Sequence, residues 1–386
     1  MEFDLSWILL GLPVVFALGW FASRLDLRQL RIENRQAPKA YFKGLNHLLN
    51  EQQDQAIDAF IEAVQKDPDT SELHFALGNL FRRRGEYERA VRVHEHLLSR
   101  ADLSQADRDR AQHALALDFL KAGLLDRAED ALRKLQGTPY DKQAGLTLLA
   151  LHERARDWPQ ARAMAQRLQQ SGAGDFTLRL SHYLCEQATE ALNKKKDPAG
   201  ARQYLHQAIN EAPGAARPRI ELAGLLARDD QPAQALELLA GLERHAPQAI
   251  ALVASELVRI GQTAGQAARV RALLERSYAA TPSIDVADAI VQADVAAGVP
   301  QDQARASYLR HMGQEPSLIA AARWLSHEAF TQEDAHAVVQ RSVDHAARPL
   351  ARYRCAACGF EAQGYFWQCP GCQAWESFPP RRIEEL

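Results

Sequence analysis

The feature that most constrains the fold of this 386-residue chain is an internal repeat with a period of 34 residues. Gly44 recurs as Gly78, and Ala201 recurs as Ala235, each pair 34 residues apart. A fixed period of this length indicates that one supersecondary unit is copied along the chain. A single unit cannot bury its apolar face alone, whereas stacked copies share a continuous core. The repeat therefore predicts a solenoid built from helix–turn–helix units.

The clearest unit contains the segment AIDAFIEAVQKDP at 56–68, which resembles the second helix of a tetratricopeptide repeat. Later copies are weaker, and Val270 stands where the pattern asks for a small residue. We expect about eight units between Ala37 and Pro316, followed by a helical extension to about Arg348. The recurring small or apolar positions of the later copies include Leu77, Gly78, Phe81, Ala90, Leu115, Phe119, Ala128, Trp158, Ala161, Leu168, Leu205, Ala208, Leu239, Leu242, Ala304 and Tyr308.

The residue types of the pattern have a simple physical meaning. Small residues such as Gly44 and Ala56 allow the two helices of a unit to approach closely, and Phe60 and its equivalents fill the space towards the next unit. Prolines end the second helix of a unit and set the turn into the following one. Such an array has a concave surface that holds partners, but the pattern does not identify the binding side chains.

Composition narrows the function without naming it. Hydrophobic residues make up 47% of the chain and charged residues 25%, which is an ordinary globular balance. The net charge of −3 does not indicate the basic surface that nucleic-acid binding requires. We find no glycine-rich phosphate loop, no H-E-x-x-H and no G-x-S-x-G, so the chain is predicted not to be an enzyme. His94 and His96 are interpreted as surface residues on different faces of a helix.

An uncharged stretch of 18 residues, Leu5–Ala22, predicts a transmembrane helix near the N-terminus. Trp7 and Trp20 lie near its two ends, where aromatic rings prefer the membrane interface. Basic residues follow the stretch and none precedes it, so the positive-inside rule places the N-terminus in the periplasm and the rest of the chain in the cytoplasm. A cleaved signal peptide needs a basic segment before the apolar stretch, and a buried core helix is the other alternative.

Four of the five cysteines form two C-x-x-C pairs near the C-terminus: Cys355, Cys358, Cys369 and Cys372. Two such pairs, ten residues apart, supply the four thiolates of a tetrahedral metal site. Zinc is the first choice, although iron in a rubredoxin-like site uses the same ligands. A module of about 35 residues has too small a core to fold alone, so the metal must contribute folding energy. The remaining Cys185 is interpreted as a buried helix residue.

Details of the module follow from its other residues. Gly359, and Gly371 next to Pro370, suit the tight turns of the two pairs. The aromatic residues favour a β-hairpin between the pairs. Trp375 and Phe378 are expected to pack the module onto the repeats. The residues that give the hairpin its β propensity are Tyr353, Phe360, Tyr365, Phe366 and Trp367.

The predicted fold is thus an all-α tetratricopeptide-like solenoid with an N-terminal transmembrane helix and a small C-terminal β-hairpin module of the zinc-ribbon or rubredoxin-like kind. It divides into an anchor at 1–24, a juxtamembrane linker at 25–36, the repeat array at 37–348 and the metal-binding module at 349–386.

The order of anchor, repeats and four-cysteine module resembles the lipopolysaccharide assembly protein B family (LapB or YciM) of Gram-negative bacteria, over the full length of the chain. The resemblance implies an inner-membrane adaptor that regulates lipopolysaccharide biosynthesis. Such an adaptor promotes proteolysis of the LpxC deacetylase by the membrane protease FtsH and is restrained by a membrane regulator of the PbgA (YejM) type. Other lipopolysaccharide synthesis or transport proteins are further candidate partners.

Two alternatives differ from the adaptor in what they predict. An assembly scaffold that gathers synthesis and transport proteins, without delivery to a protease, leaves the half-life of the deacetylase unchanged when it is depleted. A redox protein with a rubredoxin-type iron centre is coloured and cycles on reduction, whereas a colourless protein with one zinc excludes that function.

Overall fold

The computed structural model describes residues 16–18, 20, 42–67, 70–328 and 333–386. The chain divides into two compact units, Met1–Ala155 and Arg156–Leu386. Within the described residues, no helix is both long enough and apolar enough to cross a membrane. The predicted anchor, Leu5–Ala22, lies outside the described residues except for four positions.

The first unit is a run of helices in which consecutive members pack against each other. Each interior helix thereby buries one face on the helix before it and one on the helix after it, as expected for a repeat array. The helices are α1 (42–49), α2 (Gln53–Lys66), α3 (Ser71–Arg84), α4 (Tyr87–Ser99), α5 (Gln105–Lys121), α6 (Leu125–Arg133) and α7 (Asp141–Ala155).

The second unit, taken by itself, also consists of helices packed on helices, and it ends in the cysteine-containing module. A π-helical turn at Ala191–Lys195 extends the second of its helices, and a 3₁₀ turn at Pro247–Ala249 precedes the seventh. The helices are α8 (Trp158–Gln170), α9 (Thr177–Glu190), α10 (Pro198–Glu211), α11 (Arg217–Arg228), α12 (Pro232–Ala240), α13 (Leu242–His245), α14 (Ile250–Thr263), α15 (Ala267–Ala280), α16 (Ile284–Ala296), α17 (Gln301–Ala304), α18 (Ala306–Gln314), α19 (Leu318–Leu325) and α20 (Glu333–Ala347).

The repeat pattern explains why these helices pack as they do. The recurring small position is the fourth residue of the second helix in each repeat unit. Each residue at this position is at most 2% exposed. A side chain no larger than a methyl group lets the neighbouring helix approach closely. The tetratricopeptide-like fold is therefore confirmed. The residues at this position are Ala56, Ala90, Ala128, Ala161, Ala201, Ala235, Val270 and Ala304.

Val270 breaks the pattern, and the structure shows how the array accommodates it. The facing residue on α14 is Gly261, and a Cβ atom added there would come within 2.5 Å of Val270 Cγ2. Gly261 thus leaves the space that the Val270 side chain occupies, and the close approach of α14 and α15 is kept. The same close packing occurs in the first unit, where a Cβ on Gly44 would come within 2.8 Å of the Phe60 ring.

His94 corrects the interpretation of both histidines as surface residues. Its side chain is fully buried, whereas His96 is exposed, so the two do occupy different faces of α4. The ring lies against Gly78, which leaves the space that a Cβ would fill. His94 Nδ1 lies 2.5 Å from a carboxylate oxygen of buried Asp118, and Arg82 donates to the other oxygen at 2.8 Å. This network ties together three helices of the first unit.

The C-terminal module contains one two-stranded antiparallel sheet, β1 (Tyr353–Arg354) with β2 (Glu361–Ala362). Tyr353 pairs with Ala362, and Arg354 pairs with Glu361. Of the aromatic residues expected to build a hairpin, only Tyr353 lies in a strand. The strands enclose the first cysteine pair instead of connecting the two pairs, because the turn between them is the C-x-x-C segment itself.

Candidate metal centre

The first cysteine pair is held in a tight knuckle by backbone hydrogen bonds. The Cys355 amide donates to the Phe360 carbonyl at 2.8 Å, and the Gly359 amide donates to the Cys355 carbonyl at 2.9 Å. Gly359 adopts φ +78°, a left-handed conformation that glycine accepts without steric cost. The glycine predicted to suit this turn therefore does so for a definite backbone reason.

The second pair repeats the same geometry with a different residue at the left-handed position. The Cys369 amide donates to the Ala374 carbonyl at 2.9 Å, and the Gln373 amide donates to the Cys369 carbonyl at 2.8 Å. Gln373 has φ +61°, so it occupies the place that Gly359 holds in the first knuckle. Gly371, which the sequence suggested for this turn, has no positive φ.

The two knuckles bring the four predicted ligands together. Their Sγ atoms all lie within 4.8 Å of one another. The sulfurs of Cys355 and Cys372 are 3.8 Å apart, and those of Cys358 and Cys369 are 3.7 Å apart. Four thiolates at about 2.3 Å from a tetrahedral zinc ion are separated by about 3.8 Å, so the donor set fits a closed metal site. Iron takes the same ligands, and the geometry leaves the metal identity open.

The protonation of the cysteines also favours a bound cation. Burial raises the pKa of the Cys355 thiol, but its hydrogen bond with Ser377 and those from the Cys358 and Ala357 amides outweigh burial and bring that pKa to about 6. The Phe360 amide lowers the pKa of Cys358, whereas the neighbouring cysteines raise it to about 12. A metal ion binds the thiolate form of cysteine, so a bound cation would displace the proton that Cys358 otherwise keeps.

The cluster is buried on one side only. Cys355 and Cys369 are at most 1% exposed, whereas Cys358 and Cys372 are exposed to solvent. In the described part of the chain, no second group of three or more His, Cys, Asp or Glu residues is close enough together to hold a metal. Cys185 lies apart from the cluster, fully buried in α9. Its predicted place as a helix residue is confirmed.

Trp375 joins the module to the repeats, as the sequence suggested. Its ring stacks on His182 of α9 with centroids 4.7 Å apart and an interplanar angle of 18°. It also meets the edges of Trp158 and Tyr183, at 6.2 and 6.0 Å. Glu376, the next residue, lies 3.1 Å from His182 Nε2 through its carboxylate. The module is therefore seated on α8 and α9 by an aromatic cluster and one polar contact.

His182 is a docking residue that the sequence did not reveal, because a lone histidine inside a helix carries no recognisable motif. It is 1% exposed. Burial lowers its pKa, although the hydrogen bond to Glu376 acts in the opposite direction. A neutral imidazole at pH 7 donates its Nε2 hydrogen to the carboxylate and presents an uncharged face to Trp375.

Docking of the module creates a surface groove of about 630 Å³. The repeats contribute Leu178 and Leu252, and the module contributes Tyr365, Trp367 and Phe378. Phe378 itself is 1% exposed and belongs to the small core of the module. One wall of the groove is thus supplied by the metal-binding module, and the repeats alone would lack it.

Similarity to known proteins agrees with both parts of this architecture. Residues 353–380 match the family described as rubredoxin metal binding domain, and residues 192–260 match a tetratricopeptide repeat family. Lipopolysaccharide assembly protein B of Escherichia coli K12 is 30% identical over 392 aligned residues, which cover 98% of each chain. The protein of the same name from Haemophilus influenzae is 26% identical, again over 98% of each chain. The chain belongs to the lipopolysaccharide assembly protein B family.

Proposed function

We propose that this protein is a non-enzymatic inner-membrane adaptor that regulates lipopolysaccharide biosynthesis by promoting FtsH-dependent proteolysis of the LpxC deacetylase. The observation that carries the proposal is the similarity to lipopolysaccharide assembly protein B over 98% of both chains, which supports a role in lipopolysaccharide assembly. A tetratricopeptide-like array supports the adaptor part, because such arrays present extended surfaces to other proteins.

The metal-binding module has a place in this proposal. It forms one wall of the groove beside α9, α13 and α14, and its aromatic side chains there are of the kind that enrich protein interfaces. We place contact with the soluble substrate at this groove. Loss of the metal would then remove a binding surface while α9, α13 and α14 stay folded. Zinc is the metal we expect, since a closed four-thiolate site suits a structural ion.

A membrane anchor at Leu5–Ala22, with the N-terminus in the periplasm and the bulk of the chain in the cytoplasm, is part of the proposal. It rests on the uncharged apolar stretch and on the basic residues that follow it. Confinement to the membrane raises the effective concentration of the adaptor near a membrane protease. A PbgA (YejM)-type regulator in the same membrane would act on it there.

The test is the lifetime of the deacetylase in cells depleted of this protein. We expect LpxC to persist several-fold longer after protein synthesis is stopped, and expression of the full chain to restore rapid decay. The matched control is a chain lacking residues 1–22 at native level, which we expect to fold but to restore decay only weakly.

An unchanged LpxC half-life on depletion would contradict the adaptor function and favour the scaffold that gathers synthesis and transport proteins. Capture of the full chain from gently solubilised membranes, followed by mass spectrometry, separates the same two functions. Recovery of FtsH with LpxC supports the adaptor, and recovery of synthesis or transport proteins without the protease supports the scaffold. A coloured purified protein that cycles on reduction would instead indicate the redox function.

A further inference from the structure

The last five residues, Arg382–Leu386, cross back from the metal-binding module onto the final repeats, and we call them the C-terminal strap. Arg382 forms a bidentate ion pair with Asp285 in the first turn of α16, with N–O distances of 2.7 and 3.0 Å. This pair is largely shielded from solvent, with side-chain exposures of 21% and 14%. The contact joins residues 97 positions apart in the chain.

Two carboxylates of the strap cap two helix N-termini. Glu385 Oε1 accepts a hydrogen bond from the Ile284 amide at 2.6 Å, at the start of α16. Glu384 Oε2 accepts one from the Ile319 amide at 3.0 Å, in the first turn of α19. The first amides of a helix have no partner within the helix, and a negative charge there is stabilised by the helix dipole. Each helix also has a serine N-cap of its own, Ser283 for α16 and Ser317 for α19, and the strap carboxylates accept from a further amide in each first turn.

Arg382 also contacts the core that surrounds the metal site, through the ring of Tyr353. The Arg382 guanidinium lies 4.2 Å from the centre of the Tyr353 ring and donates to the Ala351 carbonyl at 2.7 Å. Tyr353 belongs to a buried cluster with Cys355, Cys369 and Phe378. Two of these four residues are predicted metal ligands, so the cluster depends on the metal for its order.

We propose that the C-terminal strap couples the metal site to the last repeats: a bound metal holds Arg382, Glu384 and Glu385 in place and thereby caps α16 and α19. When the metal leaves, the small core around Tyr353 and Phe378 loosens. Arg382 then no longer has a fixed Tyr353 ring to pack against, and the strap contacts with the two helices weaken. The metal then controls the order of helices that it does not touch. This coupling goes beyond the adaptor function and does not depend on it.

Thermodynamic linkage requires the coupling between metal and strap to act in both directions. If the metal stabilises the strap contacts, the strap contacts must strengthen metal binding by the same factor. Couplings between distinct sites typically change affinity roughly 5- to 150-fold, and we expect about tenfold here. Breaking contacts on the repeat side must therefore weaken metal binding, although no ligand is altered.

The experiment compares hydrogen exchange of the full chain with zinc bound and with zinc removed by a chelator. Removal of zinc should speed exchange about tenfold in the first turns of α16 and α19 while leaving α6 of the first unit unchanged. In the variant Arg382→Ala/Glu384→Gln/Glu385→Gln, those turns should already exchange fast, and zinc removal should add little. Unchanged exchange in the native chain, or an equal zinc effect in the variant, would overturn the proposal.

Zinc affinity, measured by competition with a chromophoric chelator, supplies the reciprocal measurement. We expect about tenfold weaker binding in the strap variant and a smaller loss in Asp285→Asn, which breaks the ion pair from the helix side. Arg381→Ala, next to the strap, is the matched control and should bind zinc as the native chain does. Native zinc affinity in both Asp285→Asn and the strap variant would show that strap and metal are independent.

Discussion

At the scale of single residues, the two cysteine knuckles are copies of one backbone design with one difference. Each is closed by the same two hydrogen bonds, and each places the residue after its second cysteine in the left-handed region. That residue is Gly359 in the first knuckle and Gln373 in the second. A side chain with a Cβ is strained in this conformation by roughly 1–2 kcal/mol, so the second knuckle carries a cost that the first avoids.

Replacing Gln373 with glycine should therefore stabilise the module. We expect Gln373→Gly to raise the free energy of unfolding by about 0.5–1 kcal/mol, because the relief of strain exceeds the extra conformational entropy that glycine loses on folding. Gly359→Ala is the matched opposite change and should cost about 1–2 kcal/mol. Urea unfolding of the zinc-bound protein, followed by tryptophan fluorescence, measures both. Equal stabilities of the native chain and Gln373→Gly would refute this account of the knuckle.

At the scale of helices, small residues allow close approach, and a glycine on one helix makes room for a larger side chain on its partner, as Gly261 does for Val270. Among the described units, the second helix carries alanine at its fourth position in seven of eight cases, whereas α15 carries Val270, which faces Gly261 on α14. A sequence pattern that is defined only by the second helix therefore matches the α14–α15 unit poorly, although the fold contains it. The close approach of the two helices is kept, although the residues that face each other differ from unit to unit.

Gly261→Ala tests this packing directly. The added methyl group would come within 2.5 Å of Val270 Cγ2, so we expect a loss of about 1–3 kcal/mol in the free energy of unfolding. Gly224, inside α11, has nothing within 4 Å of an added Cβ. Gly224→Ala should instead stabilise by about 0.5–1 kcal/mol through helix propensity. Thermal unfolding followed by circular dichroism distinguishes the two, and the same sign for both would show that close approach does not decide the effect.

At the scale of the second unit, the module is attached at two separate places. Trp375 and Glu376 engage His182 on α9, and the C-terminal strap engages α16 and α19. A module with a four-residue buried core is thus supported by the repeats as well as by its metal. This arrangement explains how a small domain contributes a wall to the groove without a large core of its own.

Removal of two ligands should separate the module from the repeats. We expect Cys355→Ser/Cys358→Ser to abolish stoichiometric metal binding and unfold the module, because the metal provides most of its folding energy. Helical circular dichroism should fall only slightly, since α9–α16 share a core that does not include the cysteines of the module. Metal analysis, tryptophan fluorescence and complementation of a depleted strain measure the three effects. Normal complementation by the double variant would show that the module is dispensable.

Much of this architecture could be predicted from the sequence, because it depends on the spacing of residues that are close together in the chain. A 34-residue period, a small residue at each helix contact and two C-x-x-C pairs are local patterns, and each specifies its own turn, helix or knuckle. The solenoid, the grouping of Cys355, Cys358, Cys369 and Cys372 and the burial of Cys185 all follow from such patterns. The hairpin was placed wrongly, since β propensity did not indicate that the strands enclose a knuckle.

Contacts between distant parts of the chain could be known only from the tertiary structure. His182 meets Glu376 across 194 positions, and Glu385 caps a helix that begins 101 positions earlier. In the sequence, Arg382, Glu384 and Glu385 form only a short charged tail with no pattern. Their roles arise because folding brings the first amides of two helices and the half-buried carboxylate of Asp285 within hydrogen-bonding distance of them. The sequence alone determined the units of this protein, and their three-dimensional packing determined how the metal-binding module is joined to the repeats.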